Sequence, residues 1–372
     1  MLAAPLALIA EVTHRCPLHC VYCSNPLEMA AAKSELGTKD WRKVFQQAAK
    51  MGVLHLHLSG GEPLVREDLL ELVDAAHTAG LYINLITSGV GLAEARLSAL
   101  LKAGLDHVQL SFQGSDESNA NWIAGTRVHA LKVKIAPVIQ KSGVAFTINM
   151  VVHRQNLDHL EEMIALAESF RPQRMEIAHA QYYGWAFKNR EALLPTQKQV
   201  EESLRVVAEA QKRSAGRIRI DAVVPDYYAR YPKACMGGWG QRQVLVDPSG
   251  KALPCHAAWV IPGLQFENVR DHSLEWIWRE SDSFQKFRGE QWMPEPCRSC
   301  DRRSQDFGGC RCQAMLITGD ATATDPACSL APGHFQIEEQ LQRMNASANS
   351  TPANKAHGNA PEDFWTYRPQ PR

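Results

Sequence analysis

The sequence predicts an α/β fold in which a parallel sheet with outer helices precedes a smaller cysteine-rich unit. Three observations predict it. Strand-like and helix-like runs alternate six times along the first part of the chain, the pattern of βα units around a parallel sheet. The ten cysteines fall into two groups, Cys16, Cys20 and Cys23 at the front and Cys235, Cys255, Cys297, Cys300, Cys310, Cys312 and Cys328 at the back, with none between. The front group follows directly on the first strand, at the sheet edge where such folds place their chemistry.

Each unit reads in turn. "LALIAEV" is the first strand, and "TKDWRKVFQQAAKMG" is a helix with Thr38 as N-cap and Gly52 beyond its end. "VLHLHLS" leads to "EDLLELVDAAHTAG", "YINLITS" to "AEARLSALLKAG", and "HVQLSFQ", across a long polar loop, to "ALKVKIAPVIQKSG". "FTINMVV" leads to "DHLEEMIALAESF", and "RMEIAHA" to the helix around "TQKQVEESLRVVAEAQKRSAG". The sheet is expected to be open or curled into part of a barrel. In the back half, "QVLVDPSGKALPC" reads as a hairpin turning at Asp247-Pro248-Ser249-Gly250. From "NASANSTPANKAHGN" onward the composition is that of a disordered tail, although the closing "PEDFWTYRPQPR" holds a Phe-Trp-Tyr group suited to docking on a partner or on the chain's own barrel. The expected divisions are 1–215 for the sheet domain, 216–335 for the cysteine-rich domain and 336–372 for the tail.

Composition narrows the function. At 372 residues and 45% hydrophobic content the chain is long enough for two packed domains. Forty basic residues balance forty acidic ones, which argues against a nucleic-acid or membrane partner. No apolar run approaches the ~18 residues that span a bilayer. "MLAAPLALIAEVTH" reads as a buried first strand, not a signal peptide. The expected compartment is therefore the cytoplasm, where closely spaced reduced thiols are metal ligands more often than disulfides. His55 and His57 alternate along the second strand, where they could face an interior, but core or surface histidines are commoner than ligands.

"VTHRCPLHCVYCSNP" spaces its cysteines C-x3-C-x2-C. A [4Fe-4S] cluster usually takes four thiolates; three leave one iron open, and an open position marks catalysis. "LSGGEP", Leu58 to Pro63, closes the second strand, and its Gly60 and Gly61 let a ligand approach the backbone. Half a zinc site, or merely buried thiols, is the alternative for the three cysteines. Together the two motifs resemble the radical S-adenosylmethionine (SAM) enzymes. The resemblance implies a partial (β/α)6 barrel and a [4Fe-4S] cluster whose open iron chelates the amino and carboxylate groups of SAM. An electron from the cluster then cleaves SAM to a 5′-deoxyadenosyl radical that abstracts a substrate hydrogen. It also implies SAM contacts for Glu62 and places Tyr22 at a position where the family prefers an aromatic. Ser88 and Gly89, Ser111 and Gln113, and Asn149 are further candidate SAM contacts by position, or else ordinary strand-end polar residues.

Two patterns occupy the back half. Cys235, Gly250 and Cys255 are spaced C-x14-G-x4-C, and "CRSCDRRSQDFGGC" has Asp306 where a C-x2-C-x5-C-x3-C pattern has its third cysteine. They resemble the SPASM extension of peptide-modifying radical SAM enzymes, which holds auxiliary iron–sulfur clusters. The resemblance assigns Cys235, Cys255, Cys310 and Cys312 to one auxiliary cluster and Cys297, Cys300, Asp306 and Cys328 to a second. Asp306 is otherwise a solvated loop acid. A zinc-binding module, with Arg298, Arg302, Arg303 and Arg311 as a nucleic-acid patch, is the rival reading.

The opening motif, "QLSFQGSDESNANWIAGT", "INMVVHRQNLDHLEEMI" and "MEIAHAQYYGWAFKNREALLPT" are similar, over about residues 6–335, to the PqqA peptide cyclases (the PqqE family) that begin pyrroloquinoline quinone (PQQ) synthesis. That resemblance implies a peptide substrate, PqqA, presented by the chaperone-like PqqD, an electron donor such as flavodoxin, and a carbon–carbon crosslink between a glutamate and a tyrosine side chain. Gln181, Tyr182, Tyr183 and Trp185 follow the sixth strand, where such a peptide would lie, or else pack the barrel mouth. Another SPASM peptide modifier, sulfatase-maturing or thioether-forming, is the alternative.

Overall fold

The computed structural model describes residues 2–224, 226–350 and 364–371. Strands β1 (Ala7–Thr13), β2 (His55–Gly60), β3 (Tyr82–Thr87), β4 (His107–Phe112), β5 (Ala145–Val152) and β6 (Arg174–His179) pair in sequence order, all parallel. Helices α1 (Thr38–Met51), α2 (Leu69–Thr78), α3 (Glu94–Lys102), α4 (Glu117–Ala124), α5 (His129–Lys141) and α6 (Leu160–Ser169) fill the crossovers. After β6 come two short helices, α7 (Gly184–Lys188) and α8 (Arg190–Leu193), and the long α9 (Gln197–Ser214).

Alternation along the strands explains why the sheet has one apolar and one polar face. Leu8, Ala10, Leu56, Leu58, Ile83, Leu85, Val108, Leu110, Phe146, Ile148, Met175 and Ile177 join the main core, where the helices cover them. The intervening positions are polar and bond to one another: Asn84 to His57 (3.1 Å) and Gln109 (3.4 Å), Gln109 and Asn149 to Glu176 (both 3.2 Å). A parallel sheet is normally apolar on both faces. The exception here lies on the face opposite the helices.

Several expectations change in detail. Gly37, not Thr38, is the N-cap of α1, and Thr38 is the first helical residue, its hydroxyl donating to Asp68 at 2.6 Å. Gly52 ends α1 in the left-handed conformation, as its position suggests. A seventh parallel strand, β7 (Arg219–Val223), adds to β6 and carries the sheet past residue 215. Its charged Arg219 and half-buried Asp221 interrupt the apolar run, which hides the strand signal. The hairpin forms as β8 (Gln243–Val246) and β9 (Ala252–Leu253), and β8 also pairs parallel with β1. The nine strands therefore run β7-β6-β5-β4-β3-β2-β1-β8-β9, so the back half shares a sheet with the front. A helix spans Phe335–Ser350, and residues 364–371 pack on the sheet domain, within the stretch read as tail. Residues 351–363 of that stretch lie outside the described residues. Among the described residues no helix is long and apolar enough to cross a membrane.

The end of β2 is pressed against the end of β1. Gly60 has φ 117°, and Gly61 N donates to Thr13 O at 2.6 Å. A Cβ on Gly61 would sit 2.2 Å from Arg15 O. The glycine pair thus accommodates the chain's own backbone immediately before the cysteine loop. Gly61→Ala is expected to cost about 1–3 kcal/mol by overpacking, read as a lowered thermal midpoint. Gly37→Ala, where the added Cβ meets nothing within 4 Å, is expected to cost less than about 1 kcal/mol.

His153 and His179, at the ends of β5 and β6, are buried, and burial drives them down to about 3 and about 4 from 6.5. The folded chain keeps both neutral where the unfolded chain takes up protons. Their contribution is complete above pH 6.5 and is lost as pH falls from there toward 4. Stability is expected to drop by roughly 1.4 kcal/mol per pH unit per group in that window. His153→Gln is expected to flatten the slope in chemical denaturation at pH 7, 6 and 5.

Candidate active site

The cysteine loop leaves β1 at the C-terminal edge of the sheet. It contains no regular structure, so its backbone groups need partners elsewhere. His19 N and Val21 N donate to Ala124 O and Ile123 O at the end of α4 (2.8 and 3.4 Å). Trp185 N and Asn189 Nδ2, from α7 and its end, hold Cys23 O (3.2 Å) and Val21 O (2.7 Å). The thiols of Cys16, Cys20 and Cys23 are free and half-buried. Burial pushes all three up, Cys20 to about 11, with the neighbouring thiols adding to the effect on Cys16 and Cys20. A bound cation would offset that by holding the thiolates. Among the described residues no three His, Cys, Asp or Glu converge on one ion-sized point; a multi-iron cluster asks instead for single ligands at separate irons.

Glu62 is fully buried beside this loop, and both its oxygens are taken. Leu64 N and Thr87 Oγ1 donate to Oε1 (3.1 and 2.7 Å), and Ser88 donates through N (2.7 Å) and Oγ to Oε2. Burial raises Glu62, and these donors oppose the rise. Ser88 is therefore a partner of Glu62. Ser111 and Gln113 meet a residue that sequence reasoning missed. Lys132, buried on α5, donates to Ser111 O (2.8 Å) and Gln113 Oε1 (2.6 Å). It interacts electrostatically with Cys20, Glu62 and Cys16. Among the alternating lysines of "ALKVKIAPVIQK" nothing marks it. Gln113 in turn donates to Tyr22 OH (2.9 Å). Asn149 lies one strand over, bonded to Glu176.

The back cysteines form two clusters. Cys310 lies within hydrogen-bonding reach of Cys235 and Cys312, and Cys312 Sγ is 3.7 Å from Cys255 Sγ. Cys297, Cys300, Asp306 and Cys328 line one cavity. Asp306 is largely buried there, with Gly308 N on Oδ1 (3.0 Å) and the Arg302 guanidinium 3.6 Å from Oδ2. A second missed residue joins the groups. Fully buried Asp325 accepts from Cys310 N (2.6 Å), Gln313 Nε2 (2.7 Å) and Ala327 N (2.9 Å), while its carbonyl accepts from Cys328 N (2.9 Å). Burial pushes it up to about 7. Of the four arginines of the zinc reading, Arg298 and Arg303 are exposed, Arg302 is half-buried, and Arg311 leaves the surface. Arg311 is buried against Trp292, donating to the carbonyls of Gly308, Ala321 and Ala323.

The four residues after β6 divide. Tyr182 is buried, stacked 5.2 Å from Tyr227 and donating to Leu193 O. Trp185 is buried in α7 beneath the cysteine loop. Tyr183 packs near Cys255 and stacks on His256, and Gln181 is exposed. Glu11, at the end of β1, is shared by His14 of the front loop (3.2 Å) and His256 beside Cys255 (3.4 Å), a polar link between front and back sites.

Comparisons with known proteins fit this layout. Residues 10–167 match the radical SAM superfamily, and residues 235–301 match the SPASM iron–sulfur cluster-binding domain. A radical SAM domain uses a [4Fe-4S] cluster and SAM, and a SPASM domain binds auxiliary iron–sulfur clusters; the three-thiol loop and the two back groups fit those roles. The chain is similar in fold to Streptococcus suis SuiB bound to S-adenosylmethionine, with TM-score 0.74 at 19% identity, over 88% of this chain and 78% of that one. It is 56% identical over 338 residues to the PqqA peptide cyclase of Methylobacterium nodulans, covering 91% of this chain and 89% of the relative. To that of Gluconobacter oxydans it is 55% identical over 348 residues, covering 93% and 96%. By kinship along nearly its whole length, this chain belongs to the PqqA peptide cyclase family of radical SAM enzymes with a SPASM domain.

Proposed function

We propose that this enzyme acts on the peptide PqqA in PQQ synthesis, joining a glutamate side-chain carbon to a tyrosine ring with net loss of two hydrogens. The observation that supports the reading is identity above half, over 91% of the chain, to a PqqA peptide cyclase. Cys16, Cys20 and Cys23 hold the SAM-binding cluster, with Tyr22, Gly60, Gly61, Glu62, Ser88, Ser111 and Asn149 around SAM. Bound there, the cluster and SAM supply the hydrogen-abstracting radical. Lys132, fixed between Gln113 and Ser111, offers a buried amine donor to the SAM carboxylate; burial draws it down to about 8, and the neighbouring Cys20, Glu62 and Cys16 oppose that fall. Cys235, Cys255, Cys310 and Cys312 hold one auxiliary cluster, and Cys297, Cys300, Asp306 and Cys328 the other. Gln181 and Tyr183 border the peptide path. PqqD presents the peptide, a flavodoxin-type donor supplies electrons, and the reducing cytoplasm keeps the thiols free.

Incubation of the reduced, anaerobically purified protein with SAM, PqqA and PqqD is expected to yield a peptide two hydrogens lighter, its link located by tandem mass spectrometry between glutamate and tyrosine. Release of 5′-deoxyadenosine with unchanged PqqA would overturn the assignment and favour a different SPASM peptide modification. Asp306→Ala is expected to lower iron per chain and alter the auxiliary-cluster spectrum while the SAM-responsive signal persists. Unchanged iron and spectra would remove Asp306 from the ligand set.

A further inference from the structure

Residues 364–371 lie across the front cysteine loop. Trp365 is buried with its ring 3.9 Å from that of Trp122 on α4, and Tyr367 OH donates to Trp122 O at 2.8 Å. Thr366 is clasped by Asn189, whose Oδ1 accepts from Thr366 N (2.7 Å) and whose Nδ2 donates to Thr366 O (2.8 Å) and Val21 O (2.7 Å). Arg368 N donates to His19 O (3.2 Å), and His19 Nδ1 meets Arg368 O (2.7 Å). Gln370 bonds both the N–H and the carbonyl of Cys16. Four positions of the loop, 14, 16, 19 and 21, are thus tied directly or through Asn189 to this segment.

Arg368 is 1% exposed. Its guanidinium donates to His14 O and Pro369 O, and its Nε has no hydrogen-bond partner. Among the described residues it pairs with no carboxylate. A buried, always-charged group without a counter-ion is costly. What faces it is the cysteine loop: the Cys23 thiol lies within its hydrogen-bonding reach, and Cys16 and Cys20 are close enough to interact with it electrostatically. A four-iron cluster held by three thiolates is net anionic, and more so when reduced.

We infer that Arg368 is a positioning residue for the SAM-binding cluster, delivered by the C-terminal segment as the fixed counter-charge that favours the cluster's reduced form. Net charge and hydrogen bonding at the sulfurs set such potentials. The inference rests on the reading that Cys16, Cys20 and Cys23 hold that cluster.

The test is a redox titration of full-length holoenzyme, following the electron paramagnetic resonance signal that SAM perturbs, in wild type, Arg368→Gln and Arg368→Lys. In the Gln variant the ratio of reduced to oxidised cluster at fixed potential is expected to fall about tenfold, equivalent to about 59 mV for one electron. The Lys variant is expected to recover most of it, and the auxiliary signals report that the fold is intact. Loss of the front cluster in the Gln variant alone also supports a charge role. Superimposable titrations, or equal shifts or equal cluster loss in the Gln and Lys variants, would overturn the inference. Absence of a SAM-responsive signal in wild type would instead overturn the underlying reading.

Discussion

Everything at the front site depends on two strand ends meeting without side chains between them. Gly61 N reaches Thr13 O and Glu62 N reaches Arg15 O at 2.8 Å, contacts that a Cβ at Gly61 would prevent. That junction sets where the cysteine loop departs from β1. It also buries the Glu62 carboxylate beneath the loop, where Thr87 and Ser88 saturate it. Because both glycines serve the chain's own backbone, the motif organises the loop first and meets any ligand through the geometry it has already set.

Beside both groups of thiols the protein gathers positive charge from distant parts of the sequence. Lys132 comes from α5, Arg368 from residues 364–371, and Arg311 stands beside the back thiols. Each is nearly inaccessible to solvent. Buried cations of this kind persist when an anion faces them, and thiolate-ligated iron–sulfur clusters are anionic. Glu11 sits between His14 and His256, so the front and back centres share one hydrogen-bonded acid.

The sequence was most readable where chemistry is local. The C-x3-C-x2-C loop, the GGEP turn, the βα alternation and the β8–β9 hairpin each lie within a short window and rest on spacing or turn geometry. Asp306 draws notice in the sequence only because a pattern has a cysteine at its position, and folding sets it in one cavity with Cys297, Cys300 and Cys328. What stayed hidden depends on long-range pairing. Lys132 looks like any surface helix lysine until Ser111 and Gln113, about twenty residues earlier, are folded over it. Asp325 gains meaning only from Cys310 N. Thr38 makes a plausible cap, yet the cap falls one residue earlier, at Gly37, and the Thr38 hydroxyl donates to the distant Asp68. The docked segment 364–371 belongs to a stretch whose polar composition points to disorder, yet its aromatic side chains find Trp122.

The pairing of β8 with β1 has a consequence for dissecting the protein. From Ala7 to Ala10, β1 is flanked by β2 on one side and Gln243–Val246 on the other. Excising the cysteine-rich half would strip one flank from the strand that launches the front loop and leave a raw, aggregation-prone border. The two halves are therefore poor candidates for separate expression, although their motifs lie more than two hundred residues apart.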